Sequence, residues 1–246
     1  MIPVNRPDCV ISSKRLLILS LLMTLVFGGA NAVAAPQAKS QQTLDQVLDR
    51  MARVGRTFRS FQAEFTQKKY VSVLKEFDEP ETGVFLYARA KDGSALLRQE
   101  TRVPAPKILT IKGGVITVYQ PRIKSATVAN MGKNKDKAEY LALGIGQSPA
   151  KLRETFNIEY EGTEPVDGAP CSVLVLKPKS SNAAAFFAAI TLWIKNSNNL
   201  PVQQKLQEPS GDYLLVKFTA EKFNPKVSES QFEQKLPRGV EIQSIR

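Results

Sequence analysis

Two pairs of acidic residues have the spacing that acid–base chemistry can use. Glu79 and Glu81, and Glu159 and Glu161, each stand two positions apart. On a strand, residues i and i+2 share a face, so either pair could present two carboxylates to one substrate, as glycoside hydrolysis requires. Glu159 and Glu161, however, alternate with Ile158 and Tyr160, the pattern of a wet face backing a buried one. The chain contains no histidine. That removes Ser-His-Asp and Cys-His nucleophiles, histidine-containing zinc sites and the commonest general base at neutral pH. No DxDxDG, GxSxG, GxxxxGK(S/T) or GxGxxG motif is present. Cys171 lies in the apolar run Cys171-Ser-Val-Leu-Val-Leu176, where packing rather than reactivity is its expected role. The residues point to a protein that is not an enzyme and uses neither metal nor cofactor.

What must position any other activity begins with an export signal. Lys14-Arg15 precedes an apolar run from Leu16 to Phe27, and small residues follow from Gly28 to Ala35. These are a charged n-region, an h-region and an A-x-A-like cleavage site. The run is shorter than the roughly 20 residues that span a bilayer core. Cleavage is expected after Ala32 or Ala34, so residues 1–34 form the signal peptide and 35–246 one domain. No cysteine follows the h-region to be lipidated, and Cys9 is lost with the signal, which leaves a soluble protein outside the cytoplasm. The net charge of +11 becomes +9 on losing Arg6, Asp8, Lys14 and Arg15. That sign favours acidic partners, such as anionic headgroups or an acidic protein patch. Nucleic acid is not expected of an exported chain whose basic residues are dispersed. With only Cys171 left, no intramolecular disulfide can form.

The pattern then specifies elements. Thr43 and Gln46 have capping-box spacing, and Leu44, Val47, Leu48, Met51, Val54 and Phe58 make one helical stripe. The helix is expected to end near 58–60. Phe61, Ala63 and Phe65 then alternate with Gln62, Glu64 and Thr66, the period of a strand. Strand-like segments follow at 83–89, 95–101, 107–112, 115–119 and 123–128, with Gly113-Gly114 as a two-residue hairpin turn. The alternation lapses over 129–155. A short helix is expected at 136–143, a loop Leu143-Gly144-Ile145-Gly146 after it, and a second helix opened by Ser148-Pro149 over 150–155. Strands resume at 156–161, 172–176, 188–195, 202–208 and 213–222, with a loop at 179–185. About eleven antiparallel strands tend to curl. The first helix and the 136–155 insert are the only candidates to cover the concave face.

Several stretches together resemble the LolA family of periplasmic lipoprotein carriers. They are Ser60-Phe61-Gln-Ala-Glu-Phe65-Thr66-Gln67 after an amphipathic helix, Gly83-x-Phe85-x-Tyr87-x-Arg89, Ile108 to Gly113 continuing to Tyr119-x-Pro121, and Phe232 with Leu236-Pro237-x-Gly239-Val240. The resemblance runs from about Leu44 to Ile242. The chain departs from the family pattern in following Arg89 with Ala90-Lys91 instead of proline. Thr117 stands where the family has tryptophan in the hairpin, and the chain stops soon after Gly239-Val240.

The resemblance implies a mainly β (α+β) fold: an open, incomplete antiparallel β-barrel of about eleven strands, with helices as a lid over an apolar cavity. It implies acylated lipoproteins as cargo, an inner-membrane ABC-type lipoprotein-releasing complex as donor and an outer-membrane acceptor, with the carrier a monomer. Arg89 matches the family arginine that reaches the lid; a guanidinium can bond carbonyls at a loop end. Strand parity gives the cavity lining as Phe61, Phe65, Phe85, Tyr87, Ile190, Leu192, Ile194, Leu214, Val216 and Phe218. Leu141, Leu143 and Ile145 are the lid candidates. The alternative is a periplasmic binder or sensor for another lipid or amphiphile on the same fold.

Overall fold

A computed structural model describes residues 43–130, 140 and 142–245. The expected signal peptide and most of the 136–143 helix lie outside these residues, as does Leu141.

Helix α1 spans Leu44–Thr57 and begins where its cap is built. Thr43 Oγ1 accepts from the Gln46 amide at 3.3 Å, and Gln46 Oε1 accepts from the Thr43 amide at 3.0 Å. Two N–H groups that the first turn would leave unpaired are thereby satisfied. The stripe buries Val47, Leu48 and Met51.

Among the described residues thirteen strands follow: β1 Ser60–Val71, β2 Glu76–Phe77, β3 Glu81–Arg89, β4 Ala95–Val103, β5 Lys107–Lys112, β6 Val115–Gln120, β7 Ser125–Asn130, β8 Phe156–Val166, β9 Ala169–Pro178, β10 Ala189–Lys195, β11 Pro201–Gln207, β12 Tyr213–Phe223 and β13 Glu241–Ile245. They form one sheet in the order β13-β7-β6-β5-β4-β3-β1-β12-β11-β10-β9-β8, with β2 added to β1. The terminal strands β13 and β8 do not pair, so the sheet is open. Gly113 and Gly114 make the β5–β6 turn with φ of 58° and 77°, values that favour glycine at both positions.

Two features of the sheet differ from the sequence reading. The strands number thirteen because β2 and β13 were not expected. The sheet is also not wholly antiparallel, since β13 runs parallel to β7, with Glu241 opposite Ser125. A chain leaving β12 must cross the sheet to reach that edge, and a long crossover permits a parallel pairing where a tight turn would not. Residues 224–240 make this crossing as a strap on the outer face. Phe232, fully buried, is its anchor against Leu86, Ala88 and Leu96.

The helical insert closes the inner face. Helix α2, Pro149–Thr155, opens as expected: Ser148 Oγ accepts from the Lys151 amide at 3.2 Å, and Pro149 stands in the first turn. The loop expected over 179–185 instead contains helix α3, Ser181–Ala184, capped by Ser180.

Candidate functional site

Alternation puts the odd-numbered aromatics of β1 and β3 on one face. Phe61 packs against Phe218 at 5.8 Å between ring centres and against Phe85 at 6.4 Å; Phe85 meets Phe218 at 5.2 Å. Phe61, Phe65, Phe85, Tyr87, Leu143, Ile145, Ile190, Leu192, Ile194, Val216 and Phe218 all belong to one buried cluster, and Leu214 is half-buried against it. The sequence-derived lining residues are thus brought together, with Leu141 outside the described residues. Val47, Leu48 and Met51 of α1 complete the cluster from above.

Among the described residues the inner face is covered. Helix α1 and the loop 142–147 occupy it. A cavity of about 200 Å³ remains beside Tyr140, Leu143, Leu152 and Phe156. Ligand pockets for drug-sized molecules run to about 300–1,000 Å³. A ligand larger than this cavity would enter here only by moving the cover.

A few polar contacts hold it. Arg89 ends β3, and its Nη2 donates to the Gly146 carbonyl at 3.0 Å. The guanidinium is half-buried and makes this one carbonyl bond to the loop. Gln204 of β11, buried, donates through Nε2 to the Leu143 carbonyl at 2.8 Å. The loop also binds itself, the Gly144 amide donating to Gln147 Oε1 at 3.3 Å. Helix α1 is tied by Arg50 Nε to Asn199 Oδ1 at 2.9 Å, and to α2 by the Asp45–Arg153 ion pair. The loop is also fitted closely by shape. Gly146 has φ of 65°, and a Cβ there would lie 2.1 Å from Cγ of Phe58. The Phe58 ring in turn stacks on Tyr87 at 5.6 Å.

The inner face changes character along β3. At the Arg89 end it is apolar. At the Glu81 end it carries a polar network that the sequence reading missed. Lys107 Nζ contacts both Glu81 oxygens at 2.8 and 2.9 Å, and Gln67 Nε2 donates to Glu81 Oε2 at 2.6 Å. Gln99 Nε2 donates to Gln67 Oε1 at 3.0 Å. The signal available in the sequence was Gln67 and Gln99 on the core parity of strands otherwise apolar on that face.

The suspected acid pairs do not form a site. Glu79 is exposed while Glu81 is held by Lys107, and Glu159 pairs at the surface with Lys177 at 2.9 Å. Cys171 is buried and free, and burial pushes its thiol above the ordinary range, so it lacks thiolate character. Among the described residues no group of three or more His, Cys, Asp or Glu could hold a metal.

The outer face has its own cavity, of about 710 Å³, between the strap and the floor made by Val84, Leu86, Ile108 and Tyr119. It lies across the sheet from the aromatic cluster.

The family model "Outer membrane lipoprotein carrier protein LolA" matches residues 56–235. An outer-membrane lipoprotein carrier protein of Hahella chejuensis is 24% identical over 215 residues, covering 86% of this chain and 94% of the relative. An uncharacterized conserved protein from Thermus thermophilus aligns with a TM-score of 0.50 at 14% identity, over 83% of this chain and all of that one. MucB aligns with a TM-score of 0.47 at 18% identity over 78% of this chain, which spans 62% of MucB's length.

Proposed function

The chain belongs to the LolA family, and from that premise we propose that it carries acylated lipoproteins from the inner to the outer membrane, sheltering their acyl chains on the inner face of its sheet. The observation that carries this reading is the buried aromatic and aliphatic cluster under a cover pinned by two side chains, Arg89 and Gln204. Each CH₂ taken from water contributes about 0.8 kcal/mol, so such a face can hold a lipid anchor through an aqueous compartment without a covalent step. The carrier is the mature chain 35–246, located in the periplasm after loss of residues 1–34. Among the described residues no helix is long and apolar enough to cross a membrane.

Arg89 acts as the latch. Closed cover and bound cargo compete for the same apolar face, so every contact that favours closure favours release. The donor is an inner-membrane releasing complex and the recipient an outer-membrane acceptor. The polar network around Glu81 and Lys107 offers hydrogen bonds where a lipid's polar end would emerge.

The test is mass spectrometry of the protein isolated from its own envelope with bound molecules retained. A triacylated lipoprotein is the expected cargo. A free lipid instead would move the protein to the class of amphiphile binders, and an empty protein in every preparation would contradict both.

A further inference from the structure

Among the described residues most of the large exposed apolar side chains lie at one rim of the sheet. In the antiparallel register, β1 ends at Val71, β3 starts at Glu81, β4 ends at Val103 and β5 starts at Lys107. At that level β6 ends at Gln120 and β7 starts at Ser125, while β9 ends at Pro178 and β10 starts at Ala189. Val73, Leu74, Phe77, Val103, Ile123 and Phe186 all fall at or beyond these ends, and Val73 is 87% exposed. At the opposite rim, where Arg89 lies, the connections are Asp92-Gly93, Gly113-Gly114, Asp167-Gly168 and Asn196-Ser-Asn-Asn199, and among the described residues the large exposed apolar side chains there are Phe223 and Ile245, the latter opposite Ala129 on the edge strand β13.

The exposed aliphatics come with cations. Lys75 follows Leu74, Arg102 precedes Val103, and Arg122 and Lys124 flank Ile123. All four cations are exposed and have no carboxylate partner among the described residues. The acids of the β1–β2 region, Glu76, Asp78 and Glu79, sit on the limb returning to the sheet, behind the tip.

The tip is also presented firmly. The Ser72 amide and hydroxyl both donate to Asp212 Oδ1 at 2.8 Å. At its base Tyr70 stacks on Tyr213 and Phe77 meets both rings edge-on, 4.8 to 5.7 Å between ring centres, with Lys205 Nζ 4.4 Å from the Tyr213 ring. Tyr rings with apolar bodies and polar tips suit a headgroup level.

We propose that this rim docks on an anionic lipid bilayer, with Val73 and Leu74 entering the headgroup–acyl boundary and Lys75, Arg102, Arg122 and Lys124 meeting the headgroups. The shape favours lipid over protein. A stable protein interface needs a continuous patch of about 800 Å² per partner with a close-packed centre. Separate convex points, each an aliphatic beside a cation, fit a soft charged surface instead. Each cation close to such a surface adds about fivefold to binding. The inference goes beyond lipoprotein carriage and does not depend on it.

Vesicle flotation of the purified protein tests it, with phosphatidylglycerol-containing and purely phosphatidylcholine vesicles at low and high salt. Expected is flotation with the anionic vesicles at low salt, at least tenfold weaker with neutral ones. Val73→Asp with Leu74→Asp lowers it at least tenfold, while the bound molecules seen by mass spectrometry stay unchanged. Because both residues are exposed, folding is untouched, and an unchanged melting temperature checks this. In a second variant, Leu74→Trp, emission shifts to the blue on adding anionic vesicles. A wild type that ignores anionic vesicles, equal flotation with neutral ones, equal flotation of the double variant, or no shift from Leu74→Trp overturns the proposal.

Discussion

Tyr87, on β3 near the Arg89 end, and Val73, in the turn after β1 at the opposite end of the sheet, are both large apolar residues, yet one is 1% exposed and the other 87%. The contrast separates two uses of apolar surface. At the Arg89 end, aromatic rings are stacked beneath a loop held by shape and by hydrogen bonds to two of its carbonyls. At the Val73 end, aliphatic side chains are held out into solvent on a braced hairpin. The first arrangement hides apolar surface until something displaces the cover. The second keeps it permanently on offer.

Truncation should divide the two ends most sharply. Phe61→Ala removes a fully buried ring and is expected to cost about 3–5 kcal/mol in urea unfolding. Val73→Ser should change stability by no more than about 0.5 kcal/mol, as for an exposed site. A comparable loss at both positions would erase the distinction. Next in size is Gly146→Ala. The Phe58 ring would have to move and the backbone to hold a left-handed conformation, together about 1–3 kcal/mol. Melting temperature should fall, and an apolar dye should bind more strongly because the cover fits less well.

Arg89→Leu is expected to cost only about 1 kcal/mol of stability, the net value of one hydrogen bond. Its functional effect is larger than its structural one. With the latch gone, closure competes poorly with cargo, and lipoprotein release to an acceptor slows. Transfer at the wild-type rate would remove Arg89 from the mechanism. Gln204→Leu makes a useful comparison, since it breaks the other pin and leaves the Leu143 carbonyl buried without its donor.

The smallest effect is a pH dependence at the hairpin brace. Hydrogen bonds from the Ser72 amide and hydroxyl, with Lys69 nearby, hold the Asp212 carboxyl below its ordinary range. A lowered carboxylate pKa means that the brace is intact above the unfolded-state value and is lost as pH falls through the lowered folded-state value. Protection of the Ser72 amide from hydrogen exchange, corrected for intrinsic rates, should fall in that acidic window and not between neutral pH and the ordinary carboxylate range. Asp212→Asn should largely remove the dependence.

Much of this was legible in the chain. The capping box at Thr43, the stripe of α1, the alternation of Phe61, Ala63 and Phe65 and the Gly113-Gly114 turn are local signals, and each is realised where it stands. Strand parity also put Phe61, Phe65, Phe85 and Tyr87 on one face, where they are buried together, because period two is rigid. What escaped was non-local or faint. Strand β2 has two residues and no period to read. Strand β13 is wholly exposed and exists because the strap delivers it to the free edge of β7. Helix α3 is a single turn whose Ser180 cap was hidden in a polar stretch. Gln204 could have been noticed as a polar residue on the core parity of β11, but its partner, a carbonyl 61 residues away, is fixed only by the tertiary fold.

Neighbouring residues on β12 allow the central claim to be tested at one place. Leu214 faces the buried cluster, Leu215 faces the opposite side by strand parity, and both are half-buried. A photo-reactive side chain can be placed at either position in the protein exported by its own cell and activated in the intact envelope. Lipoprotein adducts formed through the acyl chains at position 214 and absent at 215 are the predicted result. Adducts at 215 alone, or equally at both, would contradict the assignment of the inner face as the acyl site.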